Sequence, residues 1–218
     1  MNSETWKTGK EEELKFWLGW LASKGKAYEG LRRLSDRFTF MIGNKKRVKI
    51  ANLGAGPVCL IGDRRRDVKV KVISSDLLAN EYRKLLKELN LKPANPVKRQ
   101  DMAKLTYKDN SFDIVYCANA LDHTLDPHKA LLEMVRVCKP GGYIYLRHIA
   151  HEGQRHRYRD LHQWNIDMTE DGDCIVWNND PGPQTDTFLL SDIYPGFTTT
   201  IEIIPKAALV TSFVQKNE

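Results

Sequence analysis

The sequence predicts an α/β fold: a Rossmann-like parallel sheet with helices on both faces and a C-terminal antiparallel hairpin. Three observations carry that expectation. Short apolar runs alternate with amphipathic helical stretches between residues 48 and 150, the pattern of repeated βαβ units. The first run breaks into Leu53-Gly54-Ala55-Gly56, where closely spaced glycines let the backbone turn sharply and approach a ligand with no Cβ in the way. The second run ends near an acid, Asp76, about 20 residues further on, where a carboxylate can accept hydrogen bonds from a ribose diol. Glycine turn and acid together describe a nucleoside-type cofactor lying across the carboxyl ends of two neighbouring parallel strands.

Residues 1–40 read as a helical prefix that either packs on the main domain or serves as a lid over the site. Leu14, Trp17, Leu18 and Leu21 recur at helical spacing behind Glu11, Glu12 and Glu13, acids that suit a helix N-terminus. Phe16, Trp17 and Trp20 add an aromatic stripe, and Gly25 and Gly30 then interrupt the pattern. Residues 41–218 form the ligand-binding domain. Strands are expected at 48–53, 68–74, a short stretch ending near Arg99, 111–117 and 143–148. Helices are expected at 80–91, with Tyr82, Leu85, Leu86 and Leu89 on one face, and at 127–137, capped by Asp126 and stopped by Pro140-Gly141-Gly142. The runs 198–204 and 207–214, separated by Pro205-Lys206, read as the closing hairpin. Residues 149–185 are irregular and rich in His, Arg, Trp and Asn, which marks them as a substrate-facing insert.

Composition narrows the classes. A chain of 218 residues with 41% apolar and 28% charged residues suits one α/β domain with its own core. No run approaches the roughly 18 apolar residues of a membrane span, and the N-terminus lacks the basic-then-apolar layout of a secretory signal. Four scattered cysteines without a Cys-x-x-Cys pair read as buried free thiols of a cytoplasmic protein, not a zinc site. The net charge of +6 and the clusters 45–47 and 64–66 would attract a polyanion. Asp63 and Asp67 flank the second cluster, however, and no aromatic residues interleave with either, so a solvated surface is expected and nucleic acid is not the expected partner.

Five motifs now stand in order: Asn52-Leu53-Gly54-Ala55-Gly56-Pro57, Ser75-Asp76-Leu77, Gln100-Asp101-Met102, the stretch from Asn110 to His123, and Lys139-Pro140-Gly141-Gly142. In sequence and spacing they resemble the class I S-adenosylmethionine-dependent methyltransferases. The resemblance implies S-adenosyl-L-methionine as cofactor. Its methionine part would lie over Gly54 and Gly56 beside Asn52 and Ala55, its ribose on Asp76 and Leu77, its adenine between Asp101 and Met102, and its sulfonium beside Ala118 and Asn119. Two departures stand out: Asn52 occupies a position where the family usually has an acid, and Val58 one where a third glycine is common. A nicotinamide-dependent oxidoreductase is the rival, since Asp76 also suits that cofactor. The Gly-Ala-Gly-Pro and Lys-Pro-Gly-Gly turns favour S-adenosylmethionine.

Methyl transfer from a sulfonium is an in-line displacement, so catalysis is largely positioning, and a hydroxyl acceptor also needs a base. His148, His123 and His162 are the candidates, because the first two follow strands at the cofactor-binding edge and the third lies in the insert. Asp122 would orient a neighbouring histidine or, as the less favoured reading, bind a divalent metal; no second carboxylate is close in sequence, so no metal is expected. His151, Tyr158 and Trp164 are the candidate acceptor contacts, since aromatic faces and polar groups suit a hydroxyl-rich small molecule. The chain also resembles a bacterial branch often linked to surface-polysaccharide synthesis, which implies a sugar or glycan-precursor acceptor and O-methylation. An RNA methyltransferase and a non-catalytic cofactor-binding protein are the alternatives.

Overall fold

The computed structural model describes residues 3–24, 32–178 and 187–217; Gly25, Gly30 and the end of the insert, 179–185, lie outside them. Ten strands appear among the described residues: β1 (Arg47–Leu53), β2 (Lys69–Asp76), β3 (Lys98–Arg99), β4 (Phe112–Ala118), β5 (Cys138–Ile149), β6 (Asn165–Met168), β7 (Cys174–Trp177), β8 (Thr187–Leu189), β9 (Thr198–Ile204) and β10 (Ala207–Gln215). The helices are α1 (Ser3–Lys24), α2 (Thr39–Ile42), α3 (Ala79–Glu88), α4 (Pro127–Val137), α5 (Glu152–Arg155) and α6 (Leu190–Ile193).

Seven strands form one sheet in the order β3-β2-β1-β4-β5-β10-β9. The first five run parallel, and β10 is antiparallel to both β5 and β9. This is the expected fold: a Rossmann-like sheet closed by an antiparallel hairpin. The strand order reverses beside β1, which pairs with both β2 and β4, and such a switch point opens a crevice at the carboxyl ends of the strands.

Alternation along the central strands sorts two cores. Ala51, Leu53, Val115, Cys117, Ile144 and Leu146 pack with Leu131, Met134 and Val137 of α4. Ile50, Ile114, Tyr116 and Tyr145 pack with Leu34, Phe38, Met41 and Ile42 on the opposite face. Each such side chain, fully buried, contributes about 1.5–3 kcal/mol. Leu34 and Phe38 belong to that second core, so residues 32–42 pack against the sheet, after the helix α1. The α4 cap forms as expected, with Asp126 Oδ1 accepting from the Lys129 amide at 2.8 Å.

Two local readings change. Lys139-Pro140-Gly141-Gly142 is not a free turn but a bulge inside β5: pairing with β4 jumps from Cys138 to Tyr143. Gly142 fits there because an added Cβ would lie 2.9 Å from the Asp113 carbonyl oxygen. The insert is more regular than its composition suggests, carrying α5, β6 and β7, and β8 just beyond it completes an antiparallel sheet in the order β6-β7-β8. All four cysteines are free and buried. No helix among the described residues is long and apolar enough to cross a membrane.

Candidate functional site

The crevice is built at the end of β1. Gly54 and Gly56 turn the chain with φ of +62° and +64°, a region that L side chains adopt at a cost. Sterics add a second constraint: a Cβ on Gly54 would lie 2.2 Å from the Ala120 Cβ, and one on Gly56 would lie 2.5 Å from the Trp17 ring. At the end of β2, Asp76 closes the turn, with Oδ2 accepting from the Gly56 amide at 3.0 Å and Oδ1 from the Leu78 amide at 2.9 Å. Burial pushes its carboxyl up to about 6, although both amides favour the ionised form. Each oxygen keeps acceptor capacity beyond these bonds.

A cavity at this turn is lined by Asp76, Leu77, Asp101, Met102, Asn119 and His123. Asp101 is exposed and turned into a local loop, its Oδ1 accepting from the Ala103 amide at 2.9 Å. A second cavity lies across the same turn, lined by Asn52, Ala55, Ala118, Trp17, Arg37 and Arg147. The two meet at Gly54 and Asn119. All ten residues that the sequence singles out for the cofactor therefore line one cavity or the other. Asn52 is buried, with Nδ2 3.3 Å from Ser74 Oγ. Asn119 takes a positive φ of 45° and accepts the Ile149 amide on its side-chain oxygen at 2.9 Å, which fixes the loop after β4.

Helix α1 roofs the crevice. Trp6 and Glu13 line the first cavity, and Glu13 Oε1 accepts from Trp17 Nε1 at 2.8 Å and from the Tyr82 hydroxyl at 3.4 Å. Gly9 seats the helix on the insert, since a Cβ there would lie 2.7 Å from the Asp160 carbonyl carbon. Glu13 and Tyr82 were not among the residues expected from sequence. The available signal was the four-residue spacing of Glu13 and Trp17, which puts both on one helix face.

A third cavity, of about 490 Å³, opens beside the first and shares Glu13, Asn119, His123 and Leu161 with it. Its polar wall gathers Asp122 and His123 from the loop after β4, Glu152 and His156 from the start of the insert, and His162. His162 Nδ1 lies 2.8 Å from Asp122 Oδ2 and 3.1 Å from His123 Nε2. His123 Nε2 is 3.4 Å from the same Asp122 oxygen. The rings of His162 and His156 stack at 3.8 Å, and Glu152 Oε2 is 3.4 Å from His156 Nε2. Burial alone would raise Asp122, but the neighbouring imidazoles win and hold it down at about 2. Burial would likewise lower His162, yet its bond to Asp122 raises it. His156 is lowered by burial and by the stacked His162.

The structure thus brings His123 and His162 together and leaves His148 apart. His148 is only 2% exposed, neither ring nitrogen has a hydrogen-bond partner, and it lies in no wall of the three cavities. Burial lowers its pKa to about 4. The expected acceptor contacts also stand outside those walls and brace the insert instead. His151 Nε2 is 2.7 Å from Asp167 Oδ2, the Tyr158 hydroxyl accepts from Asn165 Nδ2 at 2.9 Å, and Trp164 Nε1 donates to the Thr124 carbonyl at 2.9 Å.

Residues 52–146 match a family model described as "Methyltransferase domain". An uncharacterized methyltransferase of Schizosaccharomyces pombe is 36% identical over 109 residues, which is 46% of this chain and 39% of the relative. A ubiquinone/menaquinone biosynthesis C-methyltransferase of Idiomarina loihiensis is 28% identical over 123 residues, 54% of this chain and 49% of the relative. The chain thus spans about half or less of the length of these curated relatives. Among solved structures, a protein from Pyrococcus horikoshii OT3 aligns with a TM-score of 0.48 at 18% identity, over 81% of this chain and 87% of that one. Residues 52–146, with their glycine turn and strand-two acid, thus resemble a methyltransferase domain.

Proposed function

We propose that the protein transfers a methyl group from S-adenosylmethionine to a hydroxyl of a small polar acceptor, a sugar or glycan precursor. One observation carries this reading: the crevice at the glycine turn opens, at Glu13, Asn119 and His123, into a separate cavity with a polar wall. The residues present fit the cofactor, since Gly54 and Gly56 line the crevice at positive φ and Asp76 keeps free acceptor capacity beside them. When bound, S-adenosylmethionine supplies a methyl group activated by a sulfonium.

The chain's own residues then have separable tasks. Asp76 holds the ribose hydroxyls, Asp101 accepts from the adenine amino group, and Met102 packs beside the ring. Arg37 and Arg147, in the second cavity, complement the methionine carboxylate, and the Asn52 amide stands where a carboxylate would otherwise face the amino group. The third cavity holds the acceptor between Phe16 and Leu161 and the polar wall. His123 and His162, in contact with Asp122, border the acceptor hydroxyl there and replace His148 as the groups that activate it. His151, Tyr158 and Trp164 shape the insert around that cavity.

The three-histidine, two-carboxylate wall supports a hydroxyl-rich acceptor, because each group can exchange hydrogen bonds with a hydroxyl. The arginine-rich groove of Arg32, Arg33, Arg64, Arg65 and Arg66 shares no lining residue with the crevice or the acceptor cavity, which disfavours an RNA substrate. An acceptor panel of free sugars, nucleotide sugars and RNA, scored by S-adenosylhomocysteine release, tests the reading. Turnover on a sugar hydroxyl is expected; turnover on RNA alone would overturn it.

A further inference from the structure

We infer that Asp122, His123 and His162 form a binding site for a divalent transition-metal cation in the wall of the acceptor cavity. Three potential ligand atoms converge there: Asp122 Oδ2, His123 Nε2 and His162 Nδ1, with mutual separations of 2.8, 3.1 and 3.4 Å. They come from segments about 40 residues apart, and the convergence is braced. The Gln163 amide donates to the Asp122 carbonyl at 3.0 Å, and Trp164 Nε1 donates to the Thr124 carbonyl at 2.9 Å.

Hydrogen bonds alone serve this triangle poorly. His162 Nδ1 carries at most one proton, which its 2.8 Å contact commits to Asp122. His123 Nε2 then faces a nitrogen with nothing further to donate, at 3.1 Å, and a carboxylate oxygen at 3.4 Å, longer than the usual N–H···O bond. A single cation satisfies all three atoms. With bonds near 2.1 Å, adjacent ligands sit about 3.0 Å apart in octahedral geometry and about 3.4 Å apart in tetrahedral geometry. The separations of 3.1 and 3.4 Å fall in that range, and the 2.8 Å separation lies just below it.

Two imidazoles and one carboxylate select zinc, iron(II), manganese or cobalt over magnesium or calcium, which favour all-oxygen sites. Glu152 Oε2, 3.8 Å from His162 Nδ1, stands ready as a further ligand from the facing α5. This second carboxylate is close only in the fold. Binding requires the proton of His162 Nδ1 to leave to solvent. On the methyltransferase reading, which this role rests on, the cation would orient acceptor oxygens and make a bound hydroxyl more acidic.

The test is a titration of the metal-free full chain with Co²⁺ and with Zn²⁺, followed by calorimetry and, for Co²⁺, by visible absorption. One equivalent per chain is expected. His162→Asn and Asp122→Asn should each weaken it by at least the roughly 10–100-fold that loss of an outer-shell partner costs. His151→Ala, whose ring pairs with Asp167 outside the cluster, should bind as wild type. S-adenosylhomocysteine affinity reports that the variants are folded. Absence of a metal-dependent signal in the wild-type chain, or unchanged affinity in both ligand variants, would overturn the inference. Metal binding without methyl transfer would leave the site standing and remove the function proposed above.

Discussion

On the proposed reading Asp76 carries the ribose end of the site, on a carboxylate that already holds two backbone amides. Losing hydrogen bonds to a charged acceptor costs about 1.5–3 kcal/mol each, so Asp76→Ala should weaken S-adenosylhomocysteine binding by roughly 10- to 100-fold or more in calorimetry. Burial raises this carboxyl to about 6, which gives the pH dependence its sign. Below that value the folded protein takes up a proton there and the diol loses its charged acceptor. Cofactor affinity should therefore be flat near pH 8 and fall with decreasing pH through about 6, approaching tenfold per unit if only the ionised form binds. Asp76→Asn should bind weakly with no such step. Stability responds in the opposite direction: a raised carboxyl disfavours folding above its folded pKa, so this group adds stability as pH falls from about 6 toward its unfolded value. Gly54 is the second test at this scale. Gly54→Ala combines a φ of +62° with a Cβ 2.2 Å from that of Ala120, and overpacking of this kind costs about 1–3 kcal/mol. Its melting temperature should drop by about 2–4 °C per kcal/mol lost. These residues were legible in the sequence because their signals are local: two glycines, and an acid at the tip of the next strand. The clustering of Asp122, Glu152 and His162 was not, since it depends on how the insert folds back.

On the proposed reading helix α1 couples the cofactor crevice to the acceptor cavity, for Glu13 lines both and Trp17 rests on Gly56. It is anchored to the insert through Gly9, whose hydrogen faces the Asp160–Leu161 backbone where no larger group fits. Amides of residues 3–24 should gain protection from hydrogen exchange when S-adenosylhomocysteine binds. Gly9→Val should abolish that gain and weaken the cofactor while leaving exchange in β1, β4 and β5 unchanged; an unaltered α1 in the variant would remove the roofing role. Elements with strong periodicity or a clear cap, such as α3 and α4, could be read directly from sequence. The strands β6, β7 and β8 could not, because three or four residues give alternation no room to declare itself. Pro140-Gly141-Gly142 misled for a related reason: a glycine pair serves a bulge as well as a turn, and only pairing with β4 distinguishes them.

For the molecule as a whole, the sheet order puts the switch point beside β1, and the glycine turn, Asp76 and the loop after β4 all meet there. The βαβ alternation made this architecture readable before any contact was known. The acceptor side was less readable, since it is assembled from α1, the β4 loop and the insert, which are far apart in sequence. Charge is distributed to match. Arg32 pairs with Asp63 at 2.6 Å and Arg33 with Asp36 at 2.8 Å, away from the crevice mouth. A gel shift with RNA at physiological salt should therefore show no complex; a salt-dependent complex would point to nucleic acid as the acceptor. The central claim is that the cofactor lies across the ends of β1, β2 and β4, and a crystal structure with S-adenosylhomocysteine tests it most directly. The account predicts ribose hydroxyls within hydrogen-bond reach of the Asp76 carboxylate and the sulfur beside Asn119, facing the junction at Glu13 and His123. A ligand found elsewhere, with Trp17 still sealing the turn at Gly56, would contradict it.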